Sequence, residues 1–412
     1  MLSSRGIRNA DGLSVPWRFS LTQTYDPEEN PAGLISLGMA ENKPMRAEIA
    51  KYINEKVGFS PDSVSYRSSA STAARLPAAA ALHLNSILSP HVAIEPERVF
   101  VADSPTSLGS MLGYSLAERG DGILVNRPIY GRFELDYGVE AGVEMVYADT
   151  GTEEAFSPAS VERYELALEA AQKRGMRIRA VLLVNPHNPV GRCYPVETLK
   201  AIARFCDRHS LHLISDEVYA SCVFDSGDPK AVPFTSILSL DFAGLIDPSL
   251  VHVLYGFSKD FASGGLHLGF LVTQNQQLRQ ACKAILRLHG ASQAAVTIGT
   301  AILEDRDFVT SFTAKAREGL ASAYRLTTSV LDKEGINYIK GGNAGFFVYI
   351  DLSPYLPTDE GISSREREFA LAQRFVDAGV FLHPREEHSK DVGWFRLVFS
   401  QEEEILKEGL RR

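Results

Sequence analysis

Cysteine is scarce. Cys193, Cys206, Cys222 and Cys282 are the only four in 412 residues. They form no CxxC pair and no metal-ligand spacing, which excludes a disulfide framework or a zinc module and suits a reduced, cytoplasmic protein. Long apolar runs are missing too: none approaches the roughly 20 residues needed to cross a bilayer, so no membrane association is expected. The first residues, Met1-Leu2-Ser3-Ser4-Arg5-Gly6, lack the apolar stretch of a secretory signal. Nor is there an excess of positive charge. The 42 Lys and Arg stand against 51 Asp and Glu, a formal charge of −9. Nucleic acid is therefore not expected as a partner, because a phosphate backbone calls for a basic face.

What remains is a soluble globular composition, 45% hydrophobic and 23% charged, in a chain long enough for two domains. Short apolar runs rich in β-branched residues recur at Val99–Val101, Ile123–Val125, Val143–Tyr147, Val181–Val184, Leu211–Ile214, Val251–Tyr255 and Phe270–Val272. Amphipathic stretches such as Ser160–Arg174 and Val196–His209 lie between them. This alternation predicts an α/β fold around a mostly parallel sheet flanked by helices. After about residue 300 the pattern changes. A long helix is expected over Ala301–Lys333, then strands near 337–339, 345–350 and 394–399 and a helix near Ser364–Ala378. The expected organisation is a large domain over 46–300 and a small α+β domain over 301–412. Residues 1–45, with Pro16, Pro27 and Pro31, are expected to pack on the small domain or a partner subunit.

Four features fall in or beside loops that follow expected strands, where an open α/β sheet has its ligand crevice. Asn185-Pro186-His187-Asn188-Pro189-Val190-Gly191 follows Val184; alone it also reads as a plain turn. Ser215-Asp216-Glu217-Val218-Tyr219 ends the next strand, and Asp216 alone could be a helix cap. Residues three apart on a strand face opposite sides, so Asp216 and Tyr219 converge only if the chain turns between them. Ser258-Lys259 follows a third strand. Arg396 lies inside the apolar strand Trp394–Phe399, where a buried charge needs a structural or a substrate carboxylate.

In this order, Asn188, Asp216, Tyr219, Lys259 and Arg396 resemble the site of fold-type I pyridoxal-phosphate enzymes, the aspartate aminotransferase superfamily. The runs Gly38-Met39-Ala40-Glu41-Asn42, Asn343-Ala344-Gly345-Phe346-Phe347 and Gly393-Trp394-Phe395-Arg396 are most similar to 1-aminocyclopropane-1-carboxylate synthase and its relatives. The resemblance implies pyridoxal 5′-phosphate as cofactor, held by Lys259 as a Schiff base, with the same lysine later removing the Cα proton. It implies that Asp216 keeps the ring nitrogen protonated, that Tyr219 and Asn188 bond the ring hydroxyl, and that Tyr130 stacks on the ring. Arg396 would clamp the substrate α-carboxylate. Thr106 and Ser258 would hold the phosphate, Tyr66 would reach the phosphate of a neighbouring subunit in a homodimer with shared sites, and Glu41 would face a substrate sulfonium.

Three departures gather at the phosphate. Where the family has an arginine eight residues after the lysine, this chain has His267. Where relatives have serine three before the lysine, it has Gly256. The phosphate loop reads Ser104-Pro105-Thr106-Ser107, and Pro105 has no N–H to donate. His267, protonated, is the expected substitute for the arginine. The reaction implied is a lyase step expelling a γ-substituent, such as the sulfonium group of S-adenosylmethionine or the sulfur of a related amino acid. An aminotransferase is the alternative, then a C–S lyase or condensing enzyme, then a degenerate binding protein. Side-chain choice is expected to rest on loops near Glu41, residues 65–75 and residues 262–267.

Overall fold

The seven apolar runs between Val99 and Val272 become the seven strands of one sheet. They are β1 (Val99–Ala102), β2 (Gly122–Asn126), β3 (Glu144–Ala148), β4 (Ile178–Val184), β5 (His212–Asp216), β6 (Val251–Gly256) and β7 (Gly269–Thr273). The structure is a computed structural model that describes residues 1–12, 24–66, 69–358, 361–384 and 389–412. Across the sheet the order is β1-β7-β6-β5-β4-β2-β3. β7 runs antiparallel to β1 and β6, and the remaining pairs are parallel. The burial follows from that position. β2, β6 and β7 are buried at every residue, as strands covered by helices on both faces must be. The edge strand β3 begins at exposed Glu144.

The helices that cover the sheet follow their apolar stripes. Val196–Arg208 buries Leu199, Ile202, Ala203, Phe205 and Cys206, the 3.6-residue spacing of one face. The long helix expected over Ala301–Lys333 is in fact two, Gln293–Glu304 and Arg306–Lys333. The break is at Asp305, whose backbone leaves the helical region and whose side chain accepts the Phe308 N–H. Its other carboxylate oxygen accepts the Tyr52 hydroxyl at 3.1 Å. An acidic N-cap thus satisfies a donor that a continuous helix would use, while the apolar period runs on through the break.

The second helix joins two cores. Phe312 is buried among residues of the large sheet. Leu320, Tyr324 and Leu331 are buried with Phe346, Phe395, Leu397 and Leu406. In that second core β8 (Asn337–Tyr338), β9 (Phe347–Asp351) and β10 (Trp394–Val398) form an antiparallel sheet in the order β10-β9-β8. The N-terminal segment reaches the same core: Ile35–Ser36 pairs in parallel with Val380–Phe381, and Ile35 and Leu37 are buried there. Pro16 lies outside the described residues, as do Arg67 and Ser68 of the 65–75 loop. Among the described residues no helix is long and apolar enough to cross a membrane.

Candidate active site

A cavity of about 770 Å³ opens between the two cores, at the carboxyl ends of the parallel strands. β5 ends at Asp216 and the chain turns at once. The Glu217 N–H crosses to Leu254 O at 2.9 Å, and Ala220 N–H closes the turn on Glu217 O at 3.0 Å. That turn brings Asp216 and Tyr219 to one cavity wall. Tyr219 is held edge-on to Phe346 and Phe347, each centroid 5.4 Å away. Neighbouring Glu217 faces elsewhere, accepting from Ser215 Oγ at 2.9 Å and Ile237 N at 3.0 Å. Asp216 is only 7% exposed. Burial pushes its carboxyl up to about 6, against the weaker pulls of the Val218 N–H and Lys259.

β6 ends at Gly256 and a single helical turn, Phe257–Asp260, presents Lys259. The Lys259 Nζ donates to Ala40 O at 2.7 Å and lies 5.8 Å from the Tyr219 ring centroid. Burial, then the charge of Arg396, lowers its amine to about 8, while Glu41, Cys222 and Asp216 oppose the shift. Asp260 turns away from the cavity. It accepts from Ser221 N at 3.0 Å and the Cys222 thiol at 2.9 Å, tying the lysine turn to the tyrosine turn.

Arg396 enters from β10 and is 5% exposed. It donates from Nη1 to Asn188 Oδ1 at 2.9 Å and from Nη2 to Gly38 O at 3.0 Å, with its guanidinium 5.6 Å from the Phe347 centroid. These two acceptors are neutral, and a carboxylate offers a guanidinium stronger, charge-assisted bonds than either. Arg396→Lys should raise KM for an amino-acid substrate about tenfold to a hundredfold with a smaller change in kcat, because lysine keeps the charge and loses the fork. Steady-state kinetics checks this; an unchanged KM would remove the clamp from Arg396.

At the opposite end, Ser104 caps the helix Pro105–Leu116 by accepting the Ser107 N–H at 3.1 Å, and Thr106, Ser107 and Ser258 line the cavity. His267 also lines it, in a left-handed conformation (φ +50), with Nδ1 3.1 Å from Asp103 Oδ1. Tyr130 forms another part of the wall, its ring edge-on to Phe133 at 5.2 Å. Glu41 is not part of the lining. It is ion-paired with Arg46, and its Oε1 lies 4.0 Å from where a Cβ on Gly264 would be. Gly264 does line the cavity, which puts Glu41 just behind the rim. Tyr66 stands fully exposed, away from this chain's cavity.

Sequence reasoning missed several lining residues. Asp136 and Tyr137, on the short helix Phe133–Gly138, reach the cavity beside Arg132. Burial and then the Asp216 charge push the Asp136 carboxyl up to about 7, against Arg132. The available signal was an acid flanked by Leu135 and Tyr137 six residues after Tyr130. Ser36, Phe381 and His383 also line the cavity, placed there by a strand pairing with no local signature.

These residues suit pyridoxal 5′-phosphate. A buried carboxyl set by burial rather than by a paired cation can take the proton-bearing ring nitrogen. An amine depressed to about 8 can form the covalent link. The capped helix start with Thr106 and Ser107 can receive a phosphate. Residues 39–412 match the model of the aminotransferase class I and II family. The chain belongs to that family. It is 32% identical to 1-aminocyclopropane-1-carboxylate synthase-like protein 1 of Homo sapiens, over 100% of this chain and 82% of that protein. It is also 32% identical to the probable aminotransferase gliI of Aspergillus fumigatus, over 92% and 88%. Aspartate aminotransferase from Thermus thermophilus with maleate superposes with a TM-score of 0.71 at 21% identity, covering 100% of this chain and 96% of that one. At that identity the likeness speaks for the fold. This member of the class I and II aminotransferase family is accordingly a pyridoxal-phosphate enzyme with the aspartate aminotransferase-like fold.

Proposed function

We propose that the chain removes the Cα proton of an α-amino acid and expels a sulfur-bearing γ-substituent, with S-adenosylmethionine or a related sulfur-containing amino acid as substrate. The reading rests on Glu41, whose carboxylate sits behind Gly264 and acts electrostatically on Lys259, where it can attract a cationic sulfur. The name of the synthase-like relative supports it.

When bound, the cofactor supplies a ring that accepts the electrons left at Cα. Lys259 would hold that cofactor and, as a free amine, would take the proton from Cα. An amine lowered to about 8 is unprotonated in about one molecule in ten at neutral pH, far more than an ordinary lysine. Asp216 holds the proton on the ring nitrogen. Asn188 and Tyr219 would hold the ring hydroxyl, Tyr130 would pack against the ring, and Thr106, Ser258 and His267 would hold the phosphate. Arg396 holds the α-carboxylate. Tyr66, exposed in one chain, completes the phosphate site of a second subunit in a homodimer.

Arg46 supports a second reading. By pairing with Glu41 it offsets the charge a sulfonium needs, which favours simple transfer of the amino group to a keto acid, as the name of the fungal relative suggests. The two readings separate in one assay. Purified holoenzyme given S-adenosylmethionine, or a neutral thioether amino acid, is followed by mass spectrometry with and without a keto acid. Release of the sulfur fragment without a keto acid supports the lyase; product only when a keto acid is present overturns it. Glu41→Gln should raise KM for the sulfonium substrate about tenfold and leave the neutral thioether substrate unchanged, since only the former loses a charged partner.

A further inference from the structure

The three departures at the phosphate end are linked in space. Pro105 removes one backbone donor from the start of its helix. A Cβ on Gly256 would lie 2.7 Å from Pro105 Cγ and 3.1 Å from Leu268 O, so a serine cannot return to 256 while the proline ring stands there. One wall has therefore given up two donors together. His267 lines the same end of the cavity, its left-handed backbone (φ +50) capping the short turn Gly264–Leu266. Its side chain meets Asp103, with Oδ1 3.1 Å from His267 Nδ1. A carboxylate only accepts, so Nδ1 carries the proton and Nε2 is the nitrogen whose protonation charges the ring. Asp103 is itself fixed, its N–H bonded to His289 O at 2.9 Å, and both members of the pair line the cavity.

We propose that Asp103 is a positioning residue that fixes the His267 ring by Nδ1 and leaves Nε2 for the cofactor phosphate, so that cofactor retention depends on one proton where a guanidinium would make it permanent. The inference rests on cofactor use alone and holds whichever reaction follows. The other charged groups nearby are Lys259 on the turn Phe257–Asp260, Glu41 behind Gly264, and His289, which pairs with Glu140. A phosphate dianion beside an imidazole favours imidazolium. Affinity is therefore full while His267 is protonated and falls as rising pH removes the proton.

Lys259 also titrates in this range, so the probe is pyridoxine 5′-phosphate, which lacks the aldehyde and cannot bond to the lysine. Its dissociation constant is measured from pH 6 to 9 by fluorescence or equilibrium dialysis, with unphosphorylated pyridoxine as the control. The wild-type constant should rise about tenfold to a hundredfold across the range. His267→Arg should bind tightly and without that slope, and His267→Ala should bind weakly at every pH. Asp103→Asn should keep the slope but bind more weakly at each pH, because the ring is no longer fixed by a carboxylate. Binding by His267→Ala that matches the wild type in strength and slope overturns the phosphate role. Tighter binding by Asp103→Asn at every pH overturns the positioning role, since Asp103 would then merely repel the phosphate.

Discussion

Lys259→Ala should lower turnover by on the order of a thousandfold or more while the folded protein still takes up cofactor without a covalent link. The lysine is asked to do two separable things, to anchor and to move a proton, and a positioned base alone contributes about a hundred- to ten-thousandfold. The loss of packing is small, because the amine's hydrogen bond is to the Ala40 carbonyl and the Tyr219 ring centroid is 5.8 Å away. Absorbance spectra and single-turnover assays test both halves. Added methylamine should restore part of the proton transfer, because it enters the vacated volume as a free base. In the wild type the rate should rise with pH toward about 8, where the amine sheds its proton. A variant that keeps wild-type turnover would remove Lys259 from the chemistry.

The same lysine shows what a sequence can and cannot reveal. β2, β6 and β7 are legible because they are buried on both faces and so appear as unbroken apolar runs. Lys259, Asp216 and Arg396 stand out against such runs because a charge at or inside a buried strand demands a reason. The break at Asp305 leaves no such mark, since the apolar period continues across it and only the cap geometry interrupts the helix. Asp136 is hidden for the opposite reason: Glu134, two residues earlier on the same short helix, bonds Tyr147 on the outside, and nothing local says which acid turns inward. The Asp103–His267 contact spans 164 residues and the Ser36–Phe381 pairing more than twice that separation, so both exist only once the chain has folded. Glu41 is a nearer case. Arg46 is five residues away, yet that the two side chains meet depends on the turn ahead of the helix Arg46–Lys56.

Asp216→Asn should separate stability from function. In the cofactor-free protein the carboxyl is raised from 3.8 to about 6 by burial, so the folded state binds its proton more tightly than the unfolded chain does. Stability from this group is therefore greatest at low pH and is lost as pH rises through that interval, leaving a cost of roughly 3 kcal/mol above it. Asparagine carries no charge and avoids the cost. The cofactor-free variant should accordingly melt higher than the wild type at pH 8, with the difference shrinking toward pH 4. Lys259 also loses a charge that favours its protonated form, so its amine should shed its proton at lower pH in the variant. Turnover should nevertheless fall about a hundredfold to a thousandfold, because an amide cannot hold the proton on the ring nitrogen, and each pK unit lost there is about 1.4 kcal/mol. Calorimetry at the two pH values and kinetics on the holoenzyme measure the two effects separately. A variant less stable at pH 8 would mean that Asp216 already has a structural partner that offsets its burial. A variant more stable and fully active would mean that the ring nitrogen is held elsewhere in the cavity, with Asp136, which lines it and feels the Asp216 charge, the acid to test next.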